Sequence, residues 1–250
     1  MRSAGVWPLA LLTVLAGCSE PQPAAQAQAR APATEAAAWT RVAGFERSEQ
    51  CGPAPRFEIP APGDRMTTAF YQGDQEVMRA VRTFTRVEGD AVWGAEVTTF
   101  ADDPRPLSDT TEQATMLNFI DAGFERHGQN EGEHRRNGFP ATLRAQVETL
   151  EVGQTISLPV TESTNFDGSA RSLSGEFRIT LLGCGRLRPP GGTAEAVHVY
   201  RVEGFHRAYR GGSPPTDTRG SFDTVSYVDG RGRRLFTGRE TQGVWLIEVS

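Results

Sequence analysis

From residue 39 onward, short β-forming runs alternate with breaks rich in Gly, Pro and Asp. That punctuation limits the fold more than any other feature. Val77–Val87 is rich in β-formers with partial alternation, Glu88-Gly89-Asp90 makes a turn, and Val92–Phe100 resumes the pattern. Glu176–Leu182, Ala196–Val202, Ser221–Val228, Arg233–Thr237 and Val244–Val249 read as further strands. Pro189-Pro190-Gly191-Gly192, Gly211-Gly212-Ser213-Pro214-Pro215 and Asp229-Gly230 separate them. Short strands with regular turn signals predict a mainly β, antiparallel architecture with little helix.

Ser108–His127 is readable in two ways. Asp109 with Glu112 resembles a capping box, and Met116, Leu117 and Ile120 are helix-spaced. Asn118–Phe124 also reads as a hairpin in which Gly123 supplies a positive φ, and this reading is favoured. It gains from an internal echo. Thr115–Gly123 and Thr224–Gly230 are both β-rich runs stopped by Asp and Gly. The echo suggests two related meanders, split near Arg144–Glu151.

The N-terminus reads as a targeting segment. Arg2 and the amino terminus give a short positive region, and Ala4–Ala16 is uncharged and mostly apolar. A spanning helix needs about 20 apolar residues, so this run is too short. It ends in Leu15-Ala16-Gly17-Cys18. This lipobox resembles that of bacterial lipoprotein precursors. The resemblance implies cleavage after residue 17 and lipidation of Cys18, hence a membrane partner through a lipid anchor. One acyl chain holds marginally, and the two or three of this class hold stably. Ser19 in place of Asp implies the outer membrane. Residues 19–38 hold 9 Ala, 3 Pro and 3 Gln. Such a segment has almost nothing to bury and predicts a flexible tether over 18–38, leaving 39–250 as the folded domain.

With Cys18 used by the lipid, Cys51 and Cys184 are left as a pair in an oxidising compartment. A bridge between them would pin the Gly/Pro-rich stretch Cys51–Pro55, and two buried free thiols are the alternative. The sequence has no Cys-x-x-Cys, which argues against thioredoxin-like chemistry.

Leu150–Thr155, the turn Pro190–Ala196 and the late hairpin Tyr227–Leu235 follow one another in an order similar to that of TapB-like periplasmic β proteins. Those proteins resemble the curved sheet of the lipoprotein carrier LolA. This resemblance implies a single curved sheet or half-barrel with a concave apolar face, and it carries over no catalytic residue.

All 26 basic residues are arginine. The absence of lysine excludes lysine nucleophiles, Schiff bases and P-loops. A formal charge of −5 argues against a nucleic-acid partner. No Gly-x-Ser-x-Gly, His-Glu-x-x-His or dinucleotide fingerprint occurs, and no cofactor is indicated. Glu125, His127, Glu131, Glu133 and His134 are the candidate metal ligands, set in a segment that reads equally as a solvated loop. In Ala196–Val202, alternation puts His198, Tyr200 and Val202 on one face, a candidate ligand surface or a half-buried strand face. His206 follows with no fixed partner. Arg231, Arg233 and Arg234 form a basic cluster at a hairpin tip, suited to phosphate or carboxylate groups. Trp93 and Trp245 read as sheet-packing residues.

The expectation is a non-catalytic lipoprotein on the periplasmic side of the outer membrane, binding an apolar ligand or an envelope component. An interaction subunit of an envelope assembly is the first alternative, and a metal-assisted hydrolase using His127 and His134 the second. An embedded outer-membrane barrel fits poorly, because charges run through the strands.

Overall fold

The computed structural model describes residues 39–103, 105, 111–127, 131–166, 169–209, 217–239 and 242–249. The expected signal segment, Cys18, the expected tether and the expected Gly211–Pro215 turn lie outside them. The chain opens with a 3-10 turn at Trp39–Arg41 and a short strand, β1 (Phe45–Ser48). A meander follows: β2 (Arg65–Gln72), β3 (Gln75–Glu88), β4 (Ala91–Phe100), β5 (Thr111–Met116), β6 (Ile120–Arg126) and β7 (Gly132–Asn137). One helix, α1 (Leu143–Glu148), separates it from β8 (Thr155–Phe166), β9 (Ser169–Leu187), β10 (Glu195–Tyr209), β11 (Asp217–Asp229), β12 (Arg234–Arg239) and β13 (Gln242–Val249).

Each strand from β2 to β13 pairs antiparallel with its sequence neighbours, and β13 returns to pair with β2. The expected single antiparallel curved sheet is therefore present, and it continues past a half-barrel to close as a barrel of twelve strands. β1 extends the outer edge of β9 beside residues 184–187. α1 divides the meander into six strands and six, at the boundary the echo suggests. Thr115 and Thr224 both fall in the fourth strand of their six.

Ser108–His127 contains a hairpin, but its turn differs from the one expected. Leu117 and Asn118 take positive φ, +53° and +60°, and make the turn. Gly123 does take a positive φ, +154°, but inside β6 and beside a bulge rather than in the turn. A Cβ there would also meet the His134 carbonyl oxygen at 2.5 Å, so glycine answers both to its backbone angle and to close strand approach.

Opposed residues share a face, so the registers trace the two sides of the wall. Val199, Tyr227, Phe236, Trp245 and Ala69 form one row across five strands. Trp39, Val42 and Phe45 cover it, with Phe45 and Tyr227 ring centroids 5.2 Å apart. The opposite face carries Phe177, Ile179, Leu181, Tyr200 and Val202. Phe119, in the β5–β6 turn, stacks on Tyr200 at 5.5 Å. The strands β6 and β10 are four apart, about 19 Å around the sheet, so this contact crosses the barrel interior. The first face is thus the outside and the second the inside.

In an up-and-down meander, alternate connections share an end. The β3–β4, β5–β6, β7–β8, β9–β10 and β11–β12 connections form one end, and residues 53–62 run across it as a floor. Arg56 and Glu58 donate backbone hydrogen bonds to the carbonyls of Gly230 and Arg231, each 3.0 Å. Phe57 N–H donates to Glu148 at 2.9 Å, and Asn118 donates to the Glu58 carbonyl at 3.0 Å. Phe57 itself is 3% exposed and enters the interior core between Phe119 and Tyr200. Its Cα lies 2.5 Å from where a Cβ of Gly232 would stand, so Gly232 admits the plug. Cys51 and Cys184 are bridged, with Cα atoms 5.5 Å apart, at the point where the chain passes from the outer edge to the floor.

Candidate ligand-binding lumen

Eight strands make a barrel just wide enough to be filled by side chains or one small ligand, and sixteen or more leave a water channel. Twelve lie between, and the inward residues of β2, β3, β4 and β13 show how the interior is graded. Val244, Phe70, Met78 and Phe100 stand opposite one another in a row toward the unplugged end. Phe100 is 45% exposed although it lies on the inward face, so the upper interior is open to solvent. One inward step down come Thr68, Ala80 and Thr98, and one step further Met66, Arg82 and Glu96. Arg82 is 6% exposed and donates to Glu96 at 2.9 Å. Its Nε has no hydrogen-bond partner.

Arg234 reaches the same region from β12. It opposes Val228 after a bulge, which places it on the inward face with His198 and Cys184. Burial, with the neighbouring charge of Arg82, pushes its guanidinium down to about 10, against the opposite pull of Glu96. It keeps an intermediate share of accessible surface. Its inward register turns that surface toward the barrel interior.

The expected tip cluster is thus divided. Arg231 is exposed, 4.0 Å from Glu58. Arg233 folds back on Asp229, with its Nε 2.6 Å from the carboxylate. Arg234 points in. His198 and Tyr200 do share a face, the inward one, and both are buried. Burial lowers the His198 pKa, and its bond to the Gly52 backbone only partly offsets this. The ring thereby helps to hold the segment beside the disulfide. Tyr200 packs against Phe57 and Phe119, and its hydroxyl has no partner. Burial raises its pKa.

The candidate metal ligands do not converge. Alternation in the β6–β7 hairpin sends His134 inward and Glu125 and Glu133 outward. His127 and Glu131 are exposed, and among the described residues no group of three ligands could hold an ion. His134 instead lies 3.3 Å from Glu162, which also accepts from Arg136 at 2.7 Å. Burial works against the Glu162 carboxylate, but the His134 and Arg136 hydrogen bonds outweigh it and hold its pKa down to about 2. Arg136 also donates to Asp121 and lies 5.2 Å over the Phe177 ring. Trp93 and Trp245 are buried packing residues, and Arg86 lies 4.2 Å over Trp93.

The outward face carries ion pairs. Arg178 meets Glu176 at 2.6 Å, Arg201 meets Asp223 at 2.7 Å and Arg135 meets Glu133 at 3.5 Å. These described positions are unlike the apolar outer band of a barrel embedded in lipid.

No protein-family model and no curated protein matches the sequence. Among solved structures, the chain is similar to the hypothetical lipoprotein YmcC from Escherichia coli K12. The identity is 13% and the TM-score 0.45, over 77% of this chain and 89% of that one. It is also similar to a putative exported protein with a YmcC-like fold from Bacteroides fragilis. There the identity is 11% and the TM-score 0.42, over 79% of this chain and 99% of that one.

Proposed function

We propose that this chain is a non-catalytic envelope lipoprotein, anchored to the outer membrane through Cys18, whose barrel holds an apolar or amphipathic envelope ligand. The observation that carries the binding part is the graded lumen. One end is plugged by Phe57, and toward the other stand Phe70, Met78, Phe100 and Val244. Pockets that take small ligands are concave, mostly apolar and furnished with a few placed polar groups. The Leu-Ala-Gly-Cys motif and the Ala/Pro/Gln segment support the anchor.

Native mass spectrometry of the full chain, exported and gently extracted, tests the ligand. A persistent adduct of defined mass is expected. A bare polypeptide mass would count against a lumen ligand and favour an interaction subunit of an envelope assembly. Membrane fractionation of Cys18→Ala tests the anchor. Loss from the outer-membrane fraction is expected, and unchanged fractionation would overturn that part.

A further inference from the structure

Arg82, Glu96 and Arg234 all stand on the inward face, with Arg234 three strands from Arg82 around the wall. Arg82 shares one hydrogen bond with Glu96, and Arg234 has no hydrogen-bond or ion-pair partner among the described residues. Among the described residues, two guanidiniums thus face one carboxylate on this part of the wall. Arg82 is buried with its Nε unpartnered and Arg234 is half-buried facing inward, so the two guanidiniums leave donors for a further anion. The neighbouring inward donors agree. Arg82 Nε, the Tyr200 hydroxyl and the Ser226 hydroxyl are buried without partners. Tyr200 and Ser226 stand opposite each other, and Ser226 is the next inward position after Val228, which opposes Arg234.

The apolar wall has a fixed relation to this charge. Met78 lies four residues up β3 from Arg82, about 13 Å along the strand, with Phe70 and Phe100 beside it. We infer that the lumen takes an anionic amphiphile, its phosphate or carboxylate head between Arg82 and Arg234 and its apolar chain running past Met78, Phe70 and Phe100 toward the open end. Arginine forks suit both head groups. The inference rests on the lumen-binding reading above and names the class of ligand.

Calorimetric titration of the full chain, extracted in a non-ionic detergent, separates the two. Octyl phosphate, octanoate, octanol and inorganic phosphate are the probes. Octyl phosphate or octanoate is expected to bind at least tenfold tighter than octanol, and the better of the two identifies the head. Arg234→Gln should erase that ratio, Arg234→Lys should retain most of it, and Glu96→Gln should widen it. If the octyl anions and octanol bind alike, or if Arg234→Gln leaves the ratio unchanged, the anionic-head inference is overturned and the lumen reading stands. If no octyl compound binds, both fall. If inorganic phosphate binds as tightly as octyl phosphate, the site serves a free anion and the amphiphile is overturned. Should Arg234→Gln fail to fold, Glu96→Gln decides, since an unchanged ratio there also overturns the inference.

Discussion

Two buried side chains give the stability of the barrel a stepwise dependence on pH. The unfolded imidazole of His198 takes up its proton near pH 6.5, while the buried ring does so only at lower pH. Between those values the unfolded chain binds more protons, so stability falls as pH drops below about 6.5. Glu162 acts lower. Its contribution is present above about pH 4.5 and is lost as pH falls toward its folded value of about 2. That span corresponds to roughly 3 kcal/mol. Urea denaturation across pH should show both limbs. His198→Gln should flatten the first and leave the second. Glu162→Gln should lower stability at pH 7 by a few kcal/mol and flatten the acid limb. An unaltered acid limb in that variant would remove the charge network from the account.

At the scale of elements, the floor depends on one inserted ring and one bridge. Phe57→Ala deletes a side chain that is 3% exposed, and should cost about 3–5 kcal/mol in denaturant unfolding. Hydrogen exchange should rise first in residues 53–62 and in the turns they bond. Replacing both Cys51 and Cys184 by serine opens a cross-link spanning 133 residues and should cost at most roughly 4–5 kcal/mol. Strands with plain alternation and clear turns, such as β3, β4 and β11, were legible in the sequence. β7, Gly-Glu-His-Arg-Arg-Asn, was not, because a strand that lines a polar stretch of lumen has charges on both faces. For the same reason Arg82 and Glu96 look like solvated surface in sequence. Arg231, Arg233 and Arg234 look alike there too, and a bulge in the β11–β12 pairing together with the Asp229 carboxylate sorts them in space. His198 and Tyr200 were visible as a pair because simple alternation holds over Ala196–Val202. The helix α1 is too short, at 6 residues, to leave a periodic trace.

At the scale of the whole molecule, the closing seam lies between β2 and β13, near the two ends of the domain. β2 begins at Arg65 and β13 ends at Val249, so the pairing that completes the barrel joins residues separated by most of the chain. Contacts so distant are slow to form. A chain ended after Arg239 keeps eleven barrel strands but exposes β2 and β12 as bare edges, which are templates for association. Such a truncation should appear in inclusion bodies or as oligomers by size exclusion, whereas removing residues 19–38 should leave the domain monodisperse. The order of synthesis then acquires a meaning. The strands from β2 to β12 can all be made without producing a finished wall, so the sheet stays open until β13 arrives. A barrel built this way cannot close before β13 has been made.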